Sequence, residues 1–103
     1  MIRTVFRLHE NRIIGFTVKG HSGTAARGSD IVCAAVSSAA YMTVNTLTEI
    51  VNAETQIEVK DGFLHCNVLN CSDSARIVLE GFRLHMEQLT EQYPHAIKIT
   101  TEV

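Results

Sequence analysis

The dipeptide Asp61-Gly62 separates two short runs that alternate apolar and polar residues, and a two-residue gap of this kind predicts an antiparallel β-hairpin. Before it, Ile57 and Val59 alternate within residues 56–60. After it, Leu64, Cys66 and Val68 share one face of residues 63–69 while His65 and Asn67 share the other. A lone hairpin is marginal in water, so the rest of the chain has to supply further strands and a covering layer. On this reading Cys66 is a buried core thiol.

Residues 2–8 alternate in the same way, with Ile2, Thr4, Phe6 and Leu8 on one side and Arg3, Val5 and Arg7 on the other. His9-Glu10-Asn11-Arg12 turns the chain, His9 being a solvated turn residue, and residues 13–19 read as the returning strand. Two segments have helical spacing instead. Residues 30–52 contain neither glycine nor proline, and Val32, Val36, Ala39, Ala40, Thr43, Leu47 and Ile50 form the face expected against the sheet. The first half of this helix is built of small residues, which allows close approach to a sheet or a partner. From Ala75, with Ser72 or Asp73 as cap, Val78, Leu79, Phe82, Met86, Leu89 and Tyr93 recur at spacings of three and four. Arg76, Glu80, Arg83 and Glu87 form the charged outer face. Cys71 falls in the loop before this helix, Pro94 ends it, and Ile97, Ile99 and Thr101 alternate as a last strand. The order ββαββαβ predicts a two-layer α+β domain, with a mainly antiparallel sheet of about five strands covered by two helices.

Chemistry is expected where the first hairpin runs into the first helix. Gly20, Gly23 and Gly28 make a glycine-rich loop that carries His21. Asp30 has the residue type preferred at a helix N-cap, which places Cys33 at about the third helical position. There the unpaired backbone N–H groups and the positive end of the helix dipole favour a thiolate. The Asp30 carboxylate opposes that effect and is expected to hold a protonated histidine instead. The same amides are candidates for the oxyanion of an acyl-transfer intermediate, and His21 has the chemistry of a general base and then acid. Ser37, one turn beyond Cys33, is placed either to hydrogen-bond near the site or to bond back to its own helix. The residues alone leave two other readings open. Cys33 among alanines and serines can be a small buried hydrophobe, and the loop can cradle phosphate, although no Lys-Ser/Thr follows it.

At 103 residues the chain is expected to form one domain spanning 1–103. A formal net charge of −2 gives no overall basic footprint, so no direct nucleic-acid partner is expected. No apolar run is expected to reach the roughly 20 residues that span a bilayer, and the N-terminus lacks a signal-peptide core, so no membrane partner and a cytoplasmic location are expected. The three cysteines, Cys33, Cys66 and Cys71, form no Cys-x-x-Cys pair, which argues against a disulfide framework and a structural zinc site.

The run GHSGTAARGSDIVCAAVSS closely resembles the signature of the ribosomal-processing cysteine protease family (Prp), small bacterial proteins that remove an N-terminal extension from a large-subunit ribosomal protein. The family pattern reads roughly Gly-His, a short variable loop, then Gly-x-Asp-Ile-Val-Cys-Ala-x-x-Ser. Gly20, His21, Gly28, Asp30, Ile31, Val32, Cys33, Ala34 and Ser37 match it, and Asn45 matches an asparagine further along the helix. Chain length, the Leu-rich second helix and the closing Tyr93-Pro94 before a short strand also fit the layout. The resemblance implies a cysteine endopeptidase with His21 and Cys33 as the catalytic pair and Asp30 and Ser37 assisting. It implies a substrate loop shaped by Gly20, Gly23 and Gly28, no cofactor, and a homodimer, for which Ile77 and Leu84 are apolar residues that a partner would cover. Thr24-Ala25-Ala26-Arg27 departs from the family, whose loop is often more polar or aromatic, and those positions bear on the cleavage sequence. The competing classes are a non-catalytic ribosome-associated peptide-binding domain, in which Cys33 only packs, and a redox thiol protein, which normally needs a resolving cysteine.

Overall fold

The computed structural model of the chain describes residues 1–20 and 30–103. Its elements are β1 (Ile2–His9), β2 (Arg12–Lys19), α1 (Ile31–Asn45) prolonged by a π turn (Thr46–Ile50), β3 (Glu54–Lys60), β4 (Phe63–Leu69), α2 (Asp73–Gln92) and β5 (Ile97–Glu102). The ββαββαβ order and the two-layer α+β fold are those expected from the sequence.

The strands form one sheet in the order β3-β4-β2-β1-β5. All neighbours are antiparallel except β1 and β5, which run parallel, so the sheet is mixed. The parallel seam follows from α2, which carries the chain from β4 across one face and returns it in the same direction beside β1. The first hairpin turns on Glu10 and Asn11 at φ 53° and 64°, the left-handed backbone that a two-residue turn needs to follow the sheet twist. Further along, Arg7 is paired with Gly15 but Leu8 with Ile13, leaving Ile14 as an extra residue. This bulge resets the alternation of β2, and Ile13 and Phe16, which simple alternation assigns to opposite faces, are both fully buried.

The core lies between the sheet and the helices. Phe6, Phe16 and Phe82 meet there, with ring centroids 4.5 Å to 6.5 Å apart. In α2, Ala75, Leu79, Phe82, Met86 and Leu89 are buried, while Val78 and Tyr93 are partly covered, as the stripe predicted. Ser72 is its cap, its hydroxyl oxygen accepting the Ala75 N–H at 3.1 Å. In α1 the buried residues are Val32, Val36, Ala40, Thr43 and Val44, followed by Leu47 in the π turn.

Two expectations about the first helix are corrected. Ile50, placed against the sheet by a regular 3.6-residue period, is 75% exposed. The Val51 N–H bonds to the Thr46 carbonyl at 2.9 Å, and this wider turn rotates the last residues off the core before Asn52, at φ 58°, ends the helix. The continuous helix Ile31–Ile50 is also long and apolar enough, by length and composition, to cross a membrane, contrary to the expectation that no run reaches that size. One of its faces is packed on the sheet.

The other face of the sheet is polar. The Arg7 guanidinium lies over Gly15 and donates to the Cys66 carbonyl at 3.3 Å and the Asn67 side-chain oxygen at 3.4 Å. A Cβ at Gly15 would meet those same groups, so the bare glycine makes room for the arginine.

Candidate active site

Asp30 sets the geometry at the start of α1. Its backbone is extended and its side chain buried, and Oδ1 accepts the Val32 N–H at 2.9 Å and the Cys33 N–H at 3.2 Å. Its Oδ2 accepts the Cys33 thiol at 3.4 Å. Asp30 is therefore the cap predicted from its residue type, and Cys33 is the third residue of the helix. The amides of Val32 and Cys33, expected as oxyanion donors, instead point at this carboxylate and are engaged by the cap.

Cys33 is partly exposed and lines a cavity of about 630 Å³ between α1 and one end of the sheet. Val36, Ser37, Ala40 and Tyr41 continue the helical wall; Ile2, Val18 and Leu64 come from the strands; Lys60, Asp61, Gly62 and Phe63 come from the tip of the β3–β4 hairpin. From Cys33 to Tyr41 the helix rises about 12 Å, the length of about three or four residues of extended peptide. Ser37 thus stands beside Cys33 in the same cavity. Asn45 does not: it is exposed at the far end of α1, about 18 Å along the helix from Cys33.

Gly20 borders the cavity as well. It has φ 97°, its N–H bonds to the Gly62 carbonyl at 2.9 Å, and a Cβ there would collide with the Met1 carbonyl oxygen. The strand end that leads directly to His21 is thereby tied to the hairpin tip that walls the cavity of the thiol. His21, Gly23 and Gly28, with the thiol-to-imidazole distance, lie outside the described residues.

The other two thiols differ in environment. Cys66 is fully buried, and burial pushes its pKa from 9.0 to about 11, with nearby Arg7 opposing the shift. Burial also raises Cys71, against the opposing charges of Arg76 and Arg12. Neither lines the cavity of Cys33. A groove of about 770 Å³ between α1 and α2, with Met42, Val78, Phe82 and Leu89 in its walls, holds no thiol. Sequence reasoning missed the cavity contributions of Tyr41 and of the hairpin tip, because Asp61-Gly62 carries a turn signal and nothing in the sequence says which end of the sheet the turn occupies.

A family model for cysteine protease Prp matches residues 1–98 of this chain. The ribosomal processing cysteine protease Prp of Bacillus subtilis is 24% identical to it, over 97% of this chain and 96% of that protein. A crystal structure of an essential ribosomal processing protease Prp from S. aureus, in complex with a covalently linked product peptide, superposes with a TM-score of 0.94 at 22% identity, covering 99% of this chain and 100% of the other. A second structure of that S. aureus protease, with a substrate peptide, gives 0.88 at 21% identity, with 99% and 100% covered.

Proposed function

Since the chain belongs to the Prp family of cysteine proteases, we propose that it is an endopeptidase that removes the N-terminal extension of a bacterial large-subunit ribosomal protein during ribosome assembly. Cys33 is the nucleophile and His21 the general base and acid. His21 takes the thiol proton, the sulfur attacks the scissile carbonyl, and the tetrahedral intermediate collapses to a thioester as His21 returns the proton to the leaving amine. The shortened protein departs as that amine; water, deprotonated by His21, then attacks the thioester, releases the extension as its carboxylic acid, and the sulfur recovers the proton from the imidazolium. Asp30 holds the start of the helix and balances the imidazolium charge; Ser37 lines the groove beside the sulfur.

The observation that carries this reading is the placement of Cys33 in the first turn of a helix, at one end of a groove long enough for an extended peptide. Its floor of Ile2, Val18, Val36 and Leu64 suits apolar side chains. The enzyme works in the cytoplasm as a homodimer, and Ile77 and Leu84, 65% and 57% exposed on α2, are the apolar residues that a second copy covers. Incubation with the extended ribosomal protein tests the proposal: a single shortened product is expected from the wild-type chain and none from Cys33→Ser. Extension peptide that binds and stays intact with the wild-type chain would assign the groove to a non-catalytic binding domain instead.

A further inference from the structure

Four cationic side chains stand in one register across the sheet. Arg3 is paired with Lys19 and with Lys98, Lys19 with Phe63, and Phe63 with Lys60. All five residues lie on the face turned away from the helices, because they alternate with Ile2, Leu64 and Ile97, which are buried beneath them. With strands about 4.8 Å apart, the row is about 19 Å long. Lys60 is paired with Glu58 at 3.6 Å and lies over the Phe63 ring at 5.7 Å. Arg3, Lys19 and Lys98 are exposed, and among the described residues none has an ion pair. The acidic residues of this face, Glu54, Glu58 and Glu102, stand at other registers, and Glu102 is paired with Arg7 at 3.8 Å. The net charge of −2 therefore conceals a segregated basic stripe. The stripe borders the active-site end of the sheet, since Lys60 and Phe63 also line the cavity of Cys33 and Lys19 adjoins Gly20.

We propose that this row is a docking surface for RNA, gripped through its phosphates while the peptide occupies the groove. A straight file of four cations, three of them without an ion pair among the described residues, with a partly exposed aromatic ring beside it matches a linear polyanion that also offers stacking faces. Arg3, Lys19 and Lys98 line neither of the two cavities described above. The choice of RNA rests in part on the proposed function, which brings the enzyme to a ribosomal protein beside ribosomal RNA, but the binding test reads independently of cleavage.

The probe is a fluorescently labelled single-stranded RNA of mixed sequence, titrated with the full chain at rising salt. Three phosphate contacts predict a slope of log K against log salt of about −2. Arg3→Glu combined with Lys98→Glu should weaken binding at least about tenfold, whereas Arg12→Glu with Arg83→Glu, the same change in net charge elsewhere, should alter it less than about twofold. The thermal midpoint and the rate of Cys33 alkylation report whether each variant is folded, and Arg3→Gln with Lys98→Gln replaces the first pair if reversal unfolds it. Absence of salt-dependent RNA binding, equal losses in the two charge-reversed pairs, or poly-glutamate competing as well as RNA would each overturn the proposal. RNA binding without peptide cleavage would leave the docking surface standing and remove the protease reading.

Discussion

Asp30 and Cys33 are joined twice: one carboxylate oxygen accepts the cysteine's backbone N–H at 3.2 Å and the other its thiol at 3.4 Å. The same side chain therefore starts the helix and sits against the Cys33 thiol, and the two roles separate on substitution. Asp30→Ala should lower stability by about 1–2 kcal/mol through loss of the cap. Asp30→Asn keeps an acceptor and should recover most of that loss, while removal of the negative charge beside the sulfur should speed Cys33 alkylation at neutral pH. Thermal melts and alkylation rates measured together check this, and an Asn variant as unstable as the Ala variant would count against the capping role.

Thiol labelling distinguishes the three cysteines. With a pKa near 11, Cys66 has roughly one part in ten thousand as thiolate at pH 7, and it is fully buried. Iodoacetamide should modify Cys33 first in the folded chain, with Cys66 protected until unfolding, as read by peptide mass mapping. Preferential labelling of Cys66 would mean that Cys33 is only a packing residue.

The division of labour in catalysis is tested at two positions. Cys33→Ser should bind an extension peptide without cleaving it, because a hydroxyl is a far weaker nucleophile than a thiolate. His21→Ala should lower kcat by a factor on the order of 10² or more while the peptide still binds. Wild-type turnover in either variant would remove that residue from the mechanism.

Two glycines should respond in opposite directions to alanine. Gly20→Ala places a Cβ at φ 97° against the Met1 carbonyl and should lower stability by about 1–3 kcal/mol. Gly81→Ala, in α2 with nothing within 4 Å of the new methyl, should raise it by about 0.5–1 kcal/mol. Chemical denaturation of the two variants gives the signs directly.

The raised pKa of Cys66 makes stability fall in alkaline solution. A thiol whose folded pKa lies above its unfolded value holds its proton more tightly in the native state, and each tenfold difference in proton affinity between the two states is worth roughly 1.4 kcal/mol. This stabilising effect is complete below about pH 9 and is lost as pH climbs toward 11. Between about pH 8.5 and 10.5 the wild type should therefore lose more stability than Cys66→Ala, in which lysines and tyrosines still titrate but this thiol does not. Parallel curves for the two proteins would show that Cys66 is not the group responsible.

Local chemistry accounts for what was legible in advance. Asp61-Gly62, the caps at Asp30 and Ser72, and the stripe from Leu79 to Leu89 each act within one turn or one hairpin, where residue type decides the outcome. The exposure of Ile50 was not legible, because a regular period cannot anticipate a π turn. Nor was the joint burial of Ile13 and Phe16, which depends on a bulge fixed only when β2 is paired with β1. The cavity wall formed by Lys60 to Phe63 depends on strand order, and strand order is settled by long-range packing that no single segment encodes. Cys33 and Ser37 face one cavity because both stand on the same side of α1, which helical spacing alone does foretell.

The parallel seam between β1 and β5 bears on when this enzyme becomes active during its own synthesis. The Ile2 N–H donates to the Ala96 carbonyl at 2.8 Å, Ile2 is paired with Ile97, and Ile2 is also a wall of the groove that holds Cys33. β1 is thus anchored by β5, and a nascent chain carries Cys33 long before that wall is in place. Pairing partners so distant in sequence are the slowest contacts for a folding chain to make. During synthesis the Cys33 thiol is therefore made well before β5 can fix the wall at Ile2, and the groove is completed only once residues 97–102 have emerged and paired with β1.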